Sequence, residues 1–386
     1  MRKRMWTRQL RWKARQGWDP DCALESDPAD LVLCFGDTDA YEAGAFEALR
    51  AMFPKARIVA STAVASIQGH AVIQQGAVAA AVGFSYTRIE ASCIQVGAGA
   101  SFEAGRRLAA QLAAGDRPAG ILLLADGLGV NGSELLAGLR SVVPAGCTVF
   151  GGMTTGAFGS PSTSLGLDAR PGPGNAAAVG FYGPRLRIGD GTAAGWDVFG
   201  PVRHITGSDG NLLKTLDGRP ALDLYRRYLG DEYLGPEGHL LFPLLVWPVG
   251  HPEQAVVRTL IRHDDEGGKM LFAGNVPEGY LARLMRGSLD RVAMAAADAA
   301  RMAMHALPAD AGPGRLALMV SCIGRLRLLG QKAPEEVEDA AAELGDAAGI
   351  GFYSYGEICR SERDAEPQLH NQTMSVTLLA EAAGHG

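Results

Sequence analysis

GILLLAD (120–126), SELLAGLRSVV (133–143), CTVFGG (147–152) and NAAAVGFYG (175–183) decide the fold. The first, third and fourth are short apolar runs bounded by glycine or polar residues, the pattern of strands buried on both faces. The second has the spacing of an amphipathic helix and opens on Ser133, a residue type that accepts hydrogen bonds from a first helical turn. Strand, helix, strand and strand in succession specify an α/β layer. Towards the N-terminus, LVLCFG (31–36), AYEAGAFEALRAMF (40–53) and RIVAST (57–62) repeat the alternation. GAVAAAVGF (76–84) and IEASCIQV (89–96) look like adjacent strands of a hairpin or meander, as do the strands over 175–190, so the sheets are expected to be mixed. FEAGRRLAAQLAAG (102–115) is a helix closed by Gly115.

Beyond Trp196 a second unit begins. NLLKTLDGRPALDLYRRYLG (211–230) holds a turn at Asp217-Gly218 and a helix opened by Pro220. LLFPLLVW (240–247), AVVRTLIRH (255–263) and KMLFAG (269–274) are strands, and SLDRVAMAAADAARMAMHAL (288–307) is a long helix. RLALMVSCIG (315–324), PEEVEDAAAELG (334–345), GFYSYGEI (351–358) and LHNQTMSVTLL (369–379) then repeat the order of 120–183. The expectation is two similar α/β units with mixed sheets, a degenerate internal duplication. The domains are then a basic N-terminal arm (1–28), an α/β domain over 29–195, a second over 196–380 and a tail at 381–386.

With 386 residues, 47% hydrophobic and 20% charged, the chain suits two packed domains. Its net charge of −6 is uneven: residues 1–15 hold seven basic groups and no acid, leaving −13 elsewhere. That balance argues against nucleic acid as the main partner. The tryptophans of the basic arm (Trp6, Trp12, Trp18) are expected to pack on the first domain. No apolar run follows the basic head as a signal peptide requires, and none approaches the length of a membrane span. Six scattered cysteines without a CxxC fit free thiols in a cytoplasmic protein.

The closing hairpin concentrates polar groups in apolar surroundings. Tyr353, Tyr355 and Glu357 alternate onto one face of a strand, and His370, Asn371 and Gln372 follow on its partner. Each alone is an ordinary strand or loop residue; together they define a candidate small-ligand site. Arg258, in a buried strand, requires a carboxylate, either Glu357 or a ligand's. Cys322 ends a strand and has His370 as a possible base, which keeps open the alternative of an enzyme using Cys322 or Glu357. GAGASFEAG (97–105) lacks the third glycine of a dinucleotide-binding turn and is a helix entry. No histidine spacing suits a metal site; a haem needs only one axial histidine, for which His251 and His370 are the candidates.

Several of these segments, GNLLKTLDGRPALDLYRRYLG (210–230), VVRTL (256–260), FAGNVPEG (272–279), SCIGR with LGQ (321–331), GFYSYGEI and LHNQTM, taken with ADLVLCFG, IVASTA and VFGG upstream, resemble the FIST family of bacterial sensory proteins. The resemblance implies a FIST N-terminal and a FIST C-terminal domain and a small ligand such as an amino acid. It also implies a signalling partner: a histidine kinase of a two-component system, a chemoreceptor or a cyclic-dinucleotide enzyme. Some related proteins bind haem and sense nitric oxide, so haem is a possible cofactor by analogy. No output domain is recognisable, so the expected partner is a separate protein. The sequence departs from the family's wording at Val64 and Ala65, and at Met153, Thr154 and Thr155 after VFGG.

Overall fold

The computed structural model describes residues 4–19, 28–158, 160, 162–235, 238–265, 267–361 and 365–383. Unit 1 comprises β1 (Trp6–Lys13), β2 (Leu31–Gly36), α1 (Thr38–Glu42), α2 (Ala45–Met52), β3 (Arg57–Thr62), β4 (Ser66–Gln68) and β5 (Ala77–Gly83). Unit 2 comprises β6 (Arg88–Gln95), α3 (Ser101–Leu112), β7 (Gly120–Ala125), α4 (Gly132–Arg140), β8 (Thr148–Met153), β9 (Leu165–Leu167) and β10 (Asn175–Tyr182). The chain then forms β11 (Leu186–Ala193) and departs to build a separate sheet. That insertion contains β12 (Trp196–Val198), β13 (Arg203–Asp209), β14 (Leu212–Leu216), α5 (Ala221–Leu229), β15 (Leu244–Trp247), β16 (Val256–Arg258), β17 (Leu260–Asp264), β18 (Lys269–Phe272) and β19 (Leu281–Gly287). Unit 3 resumes with α6 (Leu289–Ala306), β20 (Leu316–Cys322), α7 (Ile323–Leu329), α8 (Ala333–Leu344), β21 (Ala348–Ser354), β22 (Gly356–Cys359), β23 (Gln368–His370) and β24 (Met374–Glu381).

The expected repeat is present between units 2 and 3, and the topology adds a third copy in unit 1. In each, a parallel pair is joined through helices: β2 with β3, β7 with β8, β20 with β21. An antiparallel strand then returns on the other side of the first strand: β5, β10 and β24. A further antiparallel strand flanks each return: β1, β6 and β11. The free edge of each parallel pair is closed by another unit, β9 on β3, β22 on β8 and β4 on β21. The exchange is cyclic, each unit giving one strand and receiving one.

Two local expectations change. The strands at 76–96 do not form a meander: β5 and β6 belong to different sheets, as do β10 and β11. The physical reason for the first is visible in the connection. The backbone N–H groups of Ser85, Tyr86 and Thr87 all donate to the Glu381 carboxylate, at 2.7–2.9 Å, so the turn folds around a side chain from β24. The basic arm is not separate either. WTRQLRWK pairs along β5 and turns Leu10 and Trp12 into the core beneath α1 and α2, where Trp12 and Trp18 meet edge to face. Part of the expected arm and tail, residues 1–3, 20–27 and 384–386, lies outside the described residues.

The inner faces of the three sheets meet in one core. Phe35, Phe150, Phe181, Phe352, Leu122 and Val320 lie in it together, and Phe35 stacks on Phe352 across units 1 and 3 with ring centroids 4.6 Å apart. Helices cover the outer faces with a separate apolar layer per unit: α1 and α2, α3 and α4, α6 and α8. The insertion has its own core under α5. Among the described residues no helix is long and apolar enough to cross a membrane.

Glu381→Ala is expected to lower the free energy of unfolding by about 2 kcal/mol, since three backbone donors lose a charged acceptor, that of Thr87 in a buried position. A urea melt checks it; an unchanged midpoint would mean the 83–88 connection is held by other contacts.

Candidate functional site

Antiparallel register lets the three units be compared residue by residue. The last pairs of the first and returning strands are Gly36–Ala77, Ala125–Ala176 and Ser321–Met374, so Asp37, Asp126 and Cys322 are equivalent. Asp37 accepts hydrogen bonds from Ala40 N and Gly76 N, capping α1 and holding the approach to β5. Asp126 does the same with Leu128 N, Gly129 N and Gly174 N, and also accepts from the Thr163 hydroxyl. In unit 3 the thiol of Cys322 takes the carboxylate's place, bonded to the backbone of Gly324 and Gln372. By the handed-over strands, Glu357 opposite Gly152 is equivalent to Ser66 opposite Phe352 and Leu165 opposite Ser61. Unit 3 alone therefore puts a thiol and an acid at these positions.

All three units converge here, at the carboxyl ends of the parallel strands, which is where open α/β sheets place ligands. Val64 N donates to the Thr155 hydroxyl, which donates to the Tyr353 carbonyl at 2.6 Å. Tyr353 N bonds Ala65 O, and Tyr355 N bonds Met153 O. The sequence positions that depart from the family's wording thus sit directly against the closing hairpin. Leu240 of the insertion packs on Cys322, Ile323, Val64 and Tyr355. The insertion roofs the strand ends.

The expected site residues are close in sequence but divide into two groups in space. Tyr353, Tyr355 and Glu357 do not share one strand, because the chain changes sheets at Tyr355, from β21 to β22. Tyr353 turns to the helix side, where its hydroxyl donates to Glu336 at 2.8 Å within a fully buried Arg325–Glu336 ion pair that Ser321 also joins. Glu357 faces the junction. Its carboxyl accepts from the Ser354 hydroxyl, and from Thr373 through Oγ1 at 2.8 Å and N at 3.2 Å. Burial pushes it up to about 7, against the lowering effect of these donors. Among the described residues no basic side chain is bonded to it.

β22 and β23 do pair, with Glu357 opposite His370. Asn371 fills the break between β16 and β17: its Oδ1 accepts from Thr259 N and its Nδ2 donates to Tyr355 O. His370 is buried and driven down to about 4 by that burial and by Arg258, and its Nε2 has no partner. Gln372 donates to Leu240 O while its Oε1 is buried and unpartnered.

The expected Arg258–Glu357 pair is not formed. Arg258 instead donates to the carbonyls of Asn275, Leu369 and Val257, at 2.8, 2.7 and 3.1 Å, while Asn371 bonds the neighbouring Thr259 N. Burial brings it down to about 10. Gly274 lies between this guanidinium and Ser133 Oγ; a Cβ there would come within 2.9 Å of both. Asn275 completes the contact with α4: its N donates to Ser133 Oγ, its Oδ1 accepts from Asn131, and its Nδ2 bonds Glu134. Of these residues the sequence marked Ser133, as the cap of α4; the cap is instead Asn131, whose Oδ1 accepts from Glu134 N, and Ser133 lies inside the first turn with its hydroxyl turned to Asn275. The NVPEG turn was visible only as a family segment.

Cys322 is fully buried and its thiol is pushed well up, first by burial and then by Glu357, the opposite of an activated nucleophile. No histidine is among the groups acting on it. His251 is exposed on a short turn and bonded to Glu253, and His370 is sealed between strands. Neither offers the open, apolar face that an axial haem ligand needs. Among the described residues no three His, Cys, Asp or Glu side chains are grouped to hold a metal ion.

A three-unit α/β body carrying an inserted sheet over a buried polar junction is the class this geometry defines. The match to family models makes it specific: the FIST N domain over residues 30–219 and the FIST C domain over 221–360. The chain belongs to the FIST family, whose domains are associated with sensory signal transduction and small-ligand binding. No curated protein matches it. Among solved structures, a cyanuric acid hydrolase from A. caulinodans aligns over 76% of this chain and 100% of its own, at 12% identity and a TM-score of 0.18. That superposition is too poor to carry an argument.

Glu357 and His370 predict opposite pH effects. A carboxyl raised to about 7 contributes stability at low pH that is lost as pH rises from the usual carboxylate range through 7. A histidine lowered to about 4 contributes stability above its ordinary value that is lost as pH falls towards 4. Glu357→Gln is therefore expected to remove a decline of up to about 3 kcal/mol between pH 5 and 7. Equilibrium unfolding across that range checks it; parallel profiles for both proteins would show that Glu357 titrates normally.

Proposed function

We propose that this protein is a sensor of a small zwitterionic metabolite, with an amino acid as the first candidate, bound at the junction between the three strand ends and the inserted sheet. One observation carries the reading: among the described residues the buried Arg258 guanidinium bonds backbone carbonyls and the buried Glu357 carboxyl bonds hydroxyl and amide donors, so neither is paired with an opposite charge. Isolated buried charges are costly. A ligand bearing both a carboxylate and an ammonium supplies the missing partner to each. His370 Nε2 and Gln372 Oε1, both buried and unpartnered, are two further polar atoms beside these groups in sequence. Entry requires the insertion to lift, because Leu240 and the Asn275 contact close the junction.

The family context supports a cytoplasmic role upstream of a separate histidine kinase, chemoreceptor or cyclic-dinucleotide enzyme. The reading is of binding without chemistry, so Cys322 acts as a packing and capping group. A haem would have to displace either the exposed His251–Glu253 contact or the sealed surroundings of His370, and is not part of the proposal.

A thermal-shift screen of amino acids is expected to give at least one compound that raises Tm in a concentration-dependent way. Glu357→Gln and Arg258→Lys should each weaken that compound's binding about ten- to a hundredfold, the loss of one charged hydrogen-bonded contact. No shift with any amino acid, or a hit indifferent to both substitutions, would sink the reading. The purified protein is expected to lack a Soret band; a band abolished by His370→Ala would replace the metabolite with haem.

A further inference from the structure

Gln372 is a non-glycine residue in the left-handed region, with φ 65°. The equivalent residue of unit 2 is Gly174, with φ 72°, and unit 1 turns at Gly76, one position later, with φ 96°. Such a backbone costs a side-chain-bearing residue about 1 kcal/mol or more, and glycine avoids it. Unit 3 keeps a glutamine where its counterpart has glycine, and the surroundings accommodate the side chain: a Cβ on Gly324 would lie 2.3 Å from Gln372 Nε2.

The residue's contacts, two through its backbone and one through its side chain, join three parts of the molecule. Its N bonds Cys322 and its Nε2 donates to Leu240 O at 2.7 Å, on the insertion. Its own carbonyl accepts from the Trp196 indole at 3.0 Å. Trp196 begins β12 and lies opposite Gly287, the last residue of β19, so it marks where the chain enters and leaves the insertion. Gln372 thus touches the candidate site, the roof and the hinge of the roof.

We propose that Gln372 is the coupling residue of this protein: a ligand donor that engages its Oε1 draws the amide away from Leu240 and releases the inserted sheet from the three-unit body. The released surface is then what a signalling partner reads. This rests on the binding reading above, but it makes a prediction that needs no ligand. The bond from Gln372 to Leu240 holds the roof in the free protein, and shortening or removing the side chain loosens the roof alone.

The test is hydrogen–deuterium exchange on the full chain, comparing wild type with Gln372→Gly and Gln372→Asn. Glycine restores the residue found in unit 2, and asparagine tolerates the left-handed backbone while falling short of Leu240. Peptides covering 238–247 are expected to exchange about fivefold faster in both variants, the effect of one lost hydrogen bond, with β7 and β20 unchanged. Any amino-acid hit should produce the same acceleration in wild type and none beyond it in the variants. Unchanged exchange at 238–247 in both variants overturns the coupling. So does acceleration throughout the body in both, which would make Gln372 a general structural residue. A screen that yields no ligand defeats the binding reading and leaves the variant comparison to decide the coupling by itself.

Discussion

An unclosed edge governs this structure. A parallel strand pair joined through helices leaves one strand with its outer N–H and C=O groups unpaired, and a buried edge of that kind is costly. None of the three units closes its own. Each extends a segment past its second parallel strand onto the next unit's edge, in a closed ring. The segments that make the hand-over, 63–68, 154–167 and 355–370, are therefore forced together at the strand ends. Only the third holds acidic residues, and of these Glu357 is the one buried at the junction among the described residues. The candidate site is a by-product of the way the edges are satisfied, elaborated in one unit.

Much of the fold was legible because buried strands and amphipathic helices leave clear patterns. LVLCFG, GILLLAD and RLALMVSC are strands where the sequence places them, and the Asp217-Gly218 turn and the Pro220-opened helix are present. The third copy was hidden for two reasons. Unit 3 is interrupted by some ninety residues between β11 and α6, and unit 1 begins in a stretch whose arginines suggested an arm. Which sheet a strand joins is a long-range property. β5 and β6 are separated by a turn that looks like a hairpin, and only Glu381, far along the chain, shows why it is not. The short strands β13 and β19 were missed because their apolar residues are diluted by arginine, histidine and glycine.

The candidate site was legible as a list and not as a geometry. Glu357, His370, Asn371 and Gln372 are buried at one junction. Tyr353 instead belongs to the Arg325–Glu336 network, which a strand alternation of two could not reveal because the strand ends before Glu357. Arg258 was recognised as needing a partner; backbone carbonyls of Asn275, Leu369 and Val257 take the place of the expected carboxylate, a choice of acceptor that a sequence does not reveal. The positional meaning of Cys322 and Gln372 emerges only when three copies are set in register. An aspartate in two units makes the cysteine in the third conspicuous.

The ring of exchanged strands also constrains the order of synthesis. β3 waits for β9, β8 waits for β22, and β4, made within the first seventy residues, finds its partner β21 only after residue 348 has emerged. The edge of unit 1 can close once β9 is made, but β8 and β4 stay without their partners until almost the whole chain is available. Such long-range pairing slows folding and leaves edges exposed on the way. A truncated product ending anywhere before unit 3 would carry at least one unclosed edge, so dissection into separate N- and C-terminal halves divides sheets that only the complete polypeptide can finish.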